Sequence, residues 1–73
     1  MVEQNNFKRL RKKQGFSIME LAASTGVSTA TLVGVERYGL YPGPSVRERL
    51  AKKLGVPEAS IWPSIEAVGS DGK

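Results

Sequence analysis

Residues 18–37, IMELAASTGVSTATLVGVER, decide the fold because they predict two short helices joined by a tight turn. Leu21 and Ala22 lie on the apolar face of the first helix and Leu32 on that of the second, so the two faces can pack together. Gly26 stands between the helices, where the chain must reverse in a left-handed conformation that glycine adopts without strain. Together these features predict a helix-turn-helix unit.

Serine residues mark the beginning of both helices. Ser17 and Glu20 have the spacing of a capping box, in which the hydroxyl caps the helix and the carboxylate reaches back to the chain. Ser28 is the expected N-cap of the second helix of the unit, which we predict over residues 28–37. Gly39 is expected to end that helix.

Three further helical segments are predicted around this unit. A basic helix over residues 5–14 precedes it, and a helix over residues 45–54 follows it, beginning at a second capping box from Ser45 to Glu48. Residues 57–62 predict a short final helical turn.

No segment alternates between apolar and polar residues, so no sheet is expected. The predicted fold class is therefore all-α, a small five-helix bundle over residues 1–63. Residues 64–73 carry no strong pattern and are predicted to be a disordered tail.

The composition excludes several classes of function. With 73 residues the chain is long enough for one small domain, and it contains neither cysteine nor histidine. Thiol nucleophiles, disulfides and the commonest general base and metal ligand are therefore missing. We expect no enzymatic activity, cofactor, metal or small-molecule ligand. The sequence has neither an apolar signal core nor a membrane span, so a cytoplasmic protein without membrane contact is expected.

Positive charge is concentrated in the first three quarters of the chain. Residues 1–54 contain ten basic and four acidic residues, and five of the basic residues fall within Lys8–Lys13. Such a run is often only a solvated helix face. Beside a helix-turn-helix unit, it favours an anionic partner such as nucleic acid.

Residues 10–37, LRKKQGFSIMELAASTGVSTATLVGVER, resemble the Xre/Cro/lambda-repressor type of helix-turn-helix DNA-binding domain. Residues 50–63, LAKKLGVPEASIWP, resemble the closing segment of the same family. The resemblance spans residues 7–63 and implies a lambda-repressor-like bundle that binds double-stranded DNA. It further implies a prokaryotic or phage transcriptional regulator that is nucleoid-associated and acts as a homodimer.

The resemblance also implies where DNA would be contacted. Helix 28–37 would lie in the major groove. Its outward positions match the base-contacting positions of the family: Thr29, Ala30, Val33 and Gly34. Only Thr29 can hydrogen-bond a base, while Gly34 would let the backbone approach the DNA closely. Phosphate contacts are expected from the following residues: Gln14, Ser17, Ser28, Thr31, Arg37, Tyr38, Tyr41, Lys12 and Lys13.

Two structural roles are also predicted, the first from the resemblance and the second from the apolar character of the C-terminal residues. Arg11 and Glu36 occupy positions where some family members form an ion pair between the first and third helices. The alternative is that Arg11 is one more solvated basic residue. The apolar residues near the C-terminus are expected in the core, or alternatively at a dimer face: Leu54, Val56, Ile61 and Trp62.

The sequence is also compatible with two other functions. Residues 28–42, STATLVGVERYGLYP, are also similar to the MerR pattern, in which the recognition helix leads into a wing. A helix-turn-helix fold can also serve as a protein-interaction module, such as an antitoxin-like or accessory subunit. The small side chains on the outward face of the third helix favour this second alternative.

Overall fold

A computed structural model describes residues 5–63, which form five α-helices and contain no strand. The helices are α1 (Phe7–Gln14), α2 (Ile18–Thr25), α3 (Thr29–Tyr38), α4 (Pro44–Leu54) and α5 (Glu58–Ile61). The predicted all-α five-helix bundle is confirmed, while the predicted tail, residues 64–73, lies outside the described residues. None of the described helices has the length and apolarity needed to cross a membrane.

All five helices contribute to one apolar core. The fully buried side chains include one from each helix: Phe7, Leu21, Leu32, Leu50 and Ile61. Burying a side chain of this size contributes about 1.5–3 kcal/mol, so these residues dominate the stability of a domain this small. The helices α3 and α4 each pack on α2, and each also contacts α1. The core therefore fixes α3 from one side and leaves its other side to solvent.

The helix-turn-helix unit has the caps that the sequence predicts. The Ser17 hydroxyl accepts a hydrogen bond from the Glu20 amide, and the Glu20 carboxylate accepts one from the Ser17 amide, which completes the capping box. Gly26 has a φ of 77°, a conformation that favours glycine. Ser28 caps α3, which runs one residue past the predicted end, to Tyr38.

The predicted capping box at the start of the fourth helix is wrong. The helix begins at Pro44 with Gly43 as its N-cap, so Ser45 is its second residue and no side chain caps it. Proline suits the first helical position because its φ is already helical and its missing N–H would have no partner there. The proline therefore decides where α4 begins.

The first helix is shorter than predicted because its first two predicted residues, both asparagines, are not helical. Residues 5–14 were expected to be helical, but α1 begins at Phe7. The Asn5 side chain donates a hydrogen bond to the Val35 carbonyl at 2.9 Å, and the Asn6 side chain donates one to the Ser60 carbonyl at 2.9 Å. Asparagine side chains compete with helical hydrogen bonds in this way. Here they tie the chain to α3 and α5.

Candidate nucleic-acid interface

The first turn of α3 is presented to solvent. Thr29 and Ala30 are exposed, while Leu32 and Val35, on the opposite side of the helix, are fully buried. The buried side packs on α1 and α2. The structure thus brings Ser28, Thr29 and Ala30, all predicted site residues, together at one exposed helix end.

The N-terminus of α3 is suited to an anion. Ser28 accepts a hydrogen bond from the Thr31 amide at 3.1 Å, and its own hydroxyl donates to the Thr31 hydroxyl at 2.9 Å. The first turn contains no acidic residue. As in any first turn, the amides of Thr29 and Ala30 have no intrahelical acceptor, and the helix dipole adds partial positive charge. A phosphate oxygen could accept hydrogen bonds there.

The N-terminus of α2 is less suited to a phosphate. The Glu20 carboxylate lies there and accepts a hydrogen bond from the Ser17 amide at 2.7 Å. Its negative charge already balances the helix dipole and repels a second anion. Of the two serines predicted to contact phosphate, Ser28 therefore has the more favourable surroundings.

Two of the predicted base-contact positions, Val33 and Gly34, are only half-exposed. A Cβ added to Gly34 would lie 3.1 Å from Cδ2 of Leu40, and the Gly34 carbonyl accepts a hydrogen bond from the Leu40 amide at 3.0 Å. The sequence suggested a close approach of DNA at this glycine. In the structure, the close neighbour is Leu40 of the loop that follows α3.

Arg11 and Glu36 form the expected ion pair. Nε of Arg11 lies 3.0 Å from Oε1 of Glu36, and Nη2 lies 3.0 Å from Oε2. Nη1 also donates a hydrogen bond to the Phe16 carbonyl at 2.8 Å. Because all three contacts occupy the guanidinium, Arg11 links α1 to α3 and is not one of the solvated basic residues.

The other predicted contacts on α1 divide into two kinds. Lys12 and Lys13 are exposed in the last turn. Gln14 has a structural partner, since its amide donates a hydrogen bond to the Leu54 carbonyl at 2.6 Å. That bond joins the ends of α1 and α4 and was not predicted from the sequence.

Two tyrosines are exposed at the end of α3 and in the loop that follows it. Tyr38 is 78% exposed and Tyr41 is 52% exposed, and Arg37 beside them is also exposed. The Arg47 guanidinium lies 4.6 Å from the centre of the Tyr41 ring, within cation–π range. The aromatic side chain is therefore held in place although half of it faces solvent.

Arg47 fixes this loop to the rest of the domain. Its Nη1 donates a hydrogen bond to the Pro42 carbonyl at 2.8 Å, and its Nε lies 3.2 Å from Oε1 of Glu58 in α5. Sequence reasoning missed this role of Arg47. The only signal was its position three residues after Pro44, at the end of a loop rich in glycine and proline.

The C-terminal apolar residues belong to the core. Trp62 is 3% exposed, and Ile61 and Leu54 are also buried, while Val56 packs against them half-buried. The Trp62 ring meets the Tyr41 ring edge-on at 6.1 Å. The alternative in which Trp62 anchors a dimer face is therefore wrong for this side chain.

Positive charge exceeds negative charge across the described residues. Residues 5–63 contain ten basic and four acidic side chains, a net charge of +6. Three of the four acids already have partners, since Glu20 is in the capping box and Glu36 and Glu58 pair with arginines. Most cations of this part of the chain therefore have no acidic partner within it. No cluster of potential metal ligands occurs there either.

The comparisons with known proteins agree with this arrangement. The model of the helix-turn-helix family of the Xre/lambda-repressor type matches residues 7–61, which is more than half of the chain. No curated protein matches the sequence significantly. The matched residues include all five helices, and the family is one of DNA-binding regulators. The MerR-like alternative loses its support, because α4 follows the loop directly and residues 5–63 contain no strand for a wing. The chain belongs to the Xre/lambda-repressor-like helix-turn-helix family.

Proposed function

We propose that this protein is a sequence-specific regulator of transcription that binds double-stranded DNA in a prokaryotic cell or a phage. It would act in the cytoplasm on nucleoid DNA, with α3 in the major groove. The observation that carries the proposal is the exposed first turn of α3, which lacks acidic residues in a helix-turn-helix domain of net positive charge. Bases and phosphates would both be reached from this turn.

Base contacts would come from the outward positions of α3. The Thr29 hydroxyl would donate to or accept from a base edge, and the methyl groups of Ala30 and Val33 would meet thymine methyls. Gly34 would contribute only backbone, beside the Leu40 side chain. Because only one of these side chains forms hydrogen bonds, sequence-dependent DNA shape would add to specificity.

Phosphate contacts would hold α3 in register. Ser28 and Thr31 would bind at the helix N-terminus. Lys12, Lys13 and Arg37 would supply charge. Four further contacts are proposed. Gln14 and Ser17 would be the weaker ones, because Gln14 bonds the Leu54 carbonyl and the Glu20 carboxylate lies at Ser17. Tyr38 would contact phosphate from the end of α3 and Tyr41 from the loop after it.

One protomer spans only one half-site, so a homodimer is part of the proposal. Two copies related by a twofold axis would read half-sites about one helical turn, roughly 34 Å, apart. A palindromic operator is the corresponding expectation.

A second candidate function is a protein-interaction module. It is favoured by the small side chains of Ala30 and Gly34 on α3. The side chain of Tyr38 at the end of α3 and those of Leu40 and Tyr41 in the following loop are also exposed. An antitoxin-like or accessory subunit would use such a surface for a protein partner.

The experiment is selection of bound sequences from a pool of random duplexes at two salt concentrations. The variants are Thr29→Val, which removes the hydroxyl at nearly constant volume, and Ser45→Ala, an exposed control on α4. We expect an enriched palindrome that Thr29→Val alters and Ser45→Ala leaves unchanged. Binding without enrichment would leave a non-specific DNA-binding protein, and no binding at low salt would favour the interaction module.

A further inference from the structure

A second basic surface lies between α2 and α4. The two helices border an open groove of about 380 Å³ that is lined by five residues: Ser24, Thr25, Arg49, Lys52 and Lys53. The two residues from α2 carry hydroxyls, and the three from α4 carry positive charges. This groove is not among the surfaces described above, which belong to α3, the end of α1 and the loop after α3.

The three cations share one face of α4. Arg49, Lys52 and Lys53 are spaced i, i+3 and i+4, so they project from the same side of the helix, while Leu50 and Leu54 are buried. Glu48 is one turn before Lys52, but no carboxylate lies within 4 Å of these cations among the described residues. Their charge is therefore not neutralised within residues 5–63.

Two of these side chains are held at the groove by neighbouring residues. Nη1 of Arg49 donates a hydrogen bond to the Thr25 carbonyl at 3.4 Å, at the C-terminal end of α2. Nζ of Lys53 lies 5.2 Å from the centre of the Phe16 ring. Arg49 still has guanidinium N–H groups available beyond this contact, because the group carries five donors.

We propose that this groove binds phosphodiester groups of nucleic acid, as a site separate from the exposed face of α3. Cations and hydroxyls are the groups that contact DNA backbone, and they are the only polar side-chain groups among the residues that line the groove. A protein partner would need an apolar or aromatic anchor in the centre of the interface. The apolar surface of the groove comes from the carbon atoms of charged and hydroxyl residues, and no aliphatic or aromatic side chain lines it as an anchor, so the groove favours a backbone over a peptide.

The groove also lies apart from the exposed face of α3 that carries the proposed base contacts. The helices α3 and α4 pack on α2 with little direct contact between them. The groove lies at the α2–α4 junction, whereas the proposed base contacts lie on α3. The phosphodiester could belong to the flank of the duplex held by α3 or to a second duplex.

The test measures binding of a random-sequence duplex of about 30 base pairs, roughly three helical turns, over a range of salt concentrations. The groove variant is Lys52→Gln with Lys53→Gln. The matched control is Lys8→Gln with Arg9→Gln, which removes the same charge from exposed positions of α1. The groove variant and the control are each also combined with Ala30→Glu. This change places a carboxylate at the start of α3, which repels DNA from the exposed face of that helix. Thermal unfolding of each variant shows that it is folded.

We expect the groove variant to reduce the slope of log K against log salt by about 1–2, since each phosphate contact contributes about 0.9. The reduction should exceed that of the control and should persist in the Ala30→Glu background. Equal reductions in the groove and control variants would overturn the proposal, because the groove would then act only through net charge. If Ala30→Glu alone abolishes all binding, the groove holds only the flank of the duplex bound by α3, and the proposal is then overturned if the groove and control variants lower the wild-type slope equally.

A bridging assay separates the two sources of phosphate. An immobilised duplex is incubated with the protein and a labelled free duplex. Capture of the labelled duplex by wild type, lost in the groove variant, assigns the groove to a second duplex. A groove variant with weakened binding but no capture in wild type assigns it to the flank of the same duplex.

Discussion

Arg11 and Glu36 face each other in a two-point contact, with both nitrogen–oxygen distances 3.0 Å and with side chains only 11% and 10% exposed. Arg11 comes from the basic helix and Glu36 from the proposed recognition helix. A bidentate contact fixes direction as well as distance. The pair therefore sets the orientation of α3 relative to the exposed lysines of α1.

Removing one partner of this pair should destabilise the domain. Arg11→Ala leaves the Glu36 carboxylate largely buried and unpaired, so we expect a loss of about 3–5 kcal/mol in the free energy of unfolding. Urea denaturation measures it, with Arg9→Ala as an exposed control that should change stability by less than about 0.5 kcal/mol. The double variant Arg11→Met, Glu36→Leu should lose less than the sum of the single losses. Additive losses would show that the two residues do not interact.

The caps of α2 and α3 provide a second prediction. Ser17→Ala and Ser28→Ala should each lower the free energy of unfolding by about 1 kcal/mol, because each leaves a helix N-terminal amide without its acceptor. Ser45→Ala is the matched control, since Ser45 has the same predicted capping pattern but caps nothing in the structure. Thermal unfolding compares the stabilities of the three variants. If Ser45→Ala destabilised the domain as much as Ser28→Ala, the observed start of α4 would be contradicted.

Gly34 and Leu40 should be energetically coupled. Glycine costs a helix interior about 1 kcal/mol relative to alanine, so Gly34→Ala gains that amount where the added methyl group meets no clash. In this domain the methyl carbon would lie 3.1 Å from Leu40. Gly34→Ala should therefore stabilise the Leu40→Ala variant by about 1 kcal/mol and wild type by less. Urea denaturation measures the gain in free energy of unfolding in both backgrounds. An equal gain would show that Leu40 moves aside without an energetic penalty.

Arg47→Lys should loosen the loop after α3. Lysine keeps the charge but loses the planar group that stacks on Tyr41 and bonds both Pro42 and Glu58. We expect the free energy of unfolding to fall by about 1–2 kcal/mol. Trp62, the only tryptophan, reports unfolding by fluorescence from beside Tyr41. Arg37→Lys on exposed α3 is the control, and an equal effect of the two changes would count against a special role for Arg47.

The sequence predicts most of the fold because local signals and apolar spacing agree. Ser17, Gly26 and Ser28 specify the helix-turn-helix unit through backbone chemistry that acts within four residues, and the structure confirms them. The errors fall where a neighbouring or distant group competes. Pro44 overrides the Ser45 pattern at the start of α4, and Asn5 bonds Val35, thirty residues away.

The candidate site is less predictable from sequence because its environment depends on long-range packing. The family resemblance predicts the Arg11–Glu36 pair and the exposure of Thr29 and Ala30, whereas Val33 and Gly34 are only half-exposed. No local pattern indicates that Leu40 folds back on Gly34 or that Gln14 bonds the end of α4. The groove is also a tertiary feature, since Ser24 and Lys52 line one groove only once α2 and α4 pack together.

The hydrogen bonds of Asn6 have a consequence for the connectivity of the domain. Its backbone amide donates to the Ile61 carbonyl at 2.8 Å and its side chain donates to the Ser60 carbonyl at 2.9 Å, so the residue just before α1 lies beside the end of α5. Adjacent entry and exit points are the condition for circular permutation and for insertion of a domain into a host protein. A short linker from the end of α5 to Asn5, with new termini opened in the loop between α3 and α4, is therefore expected to preserve the packing of the five helices.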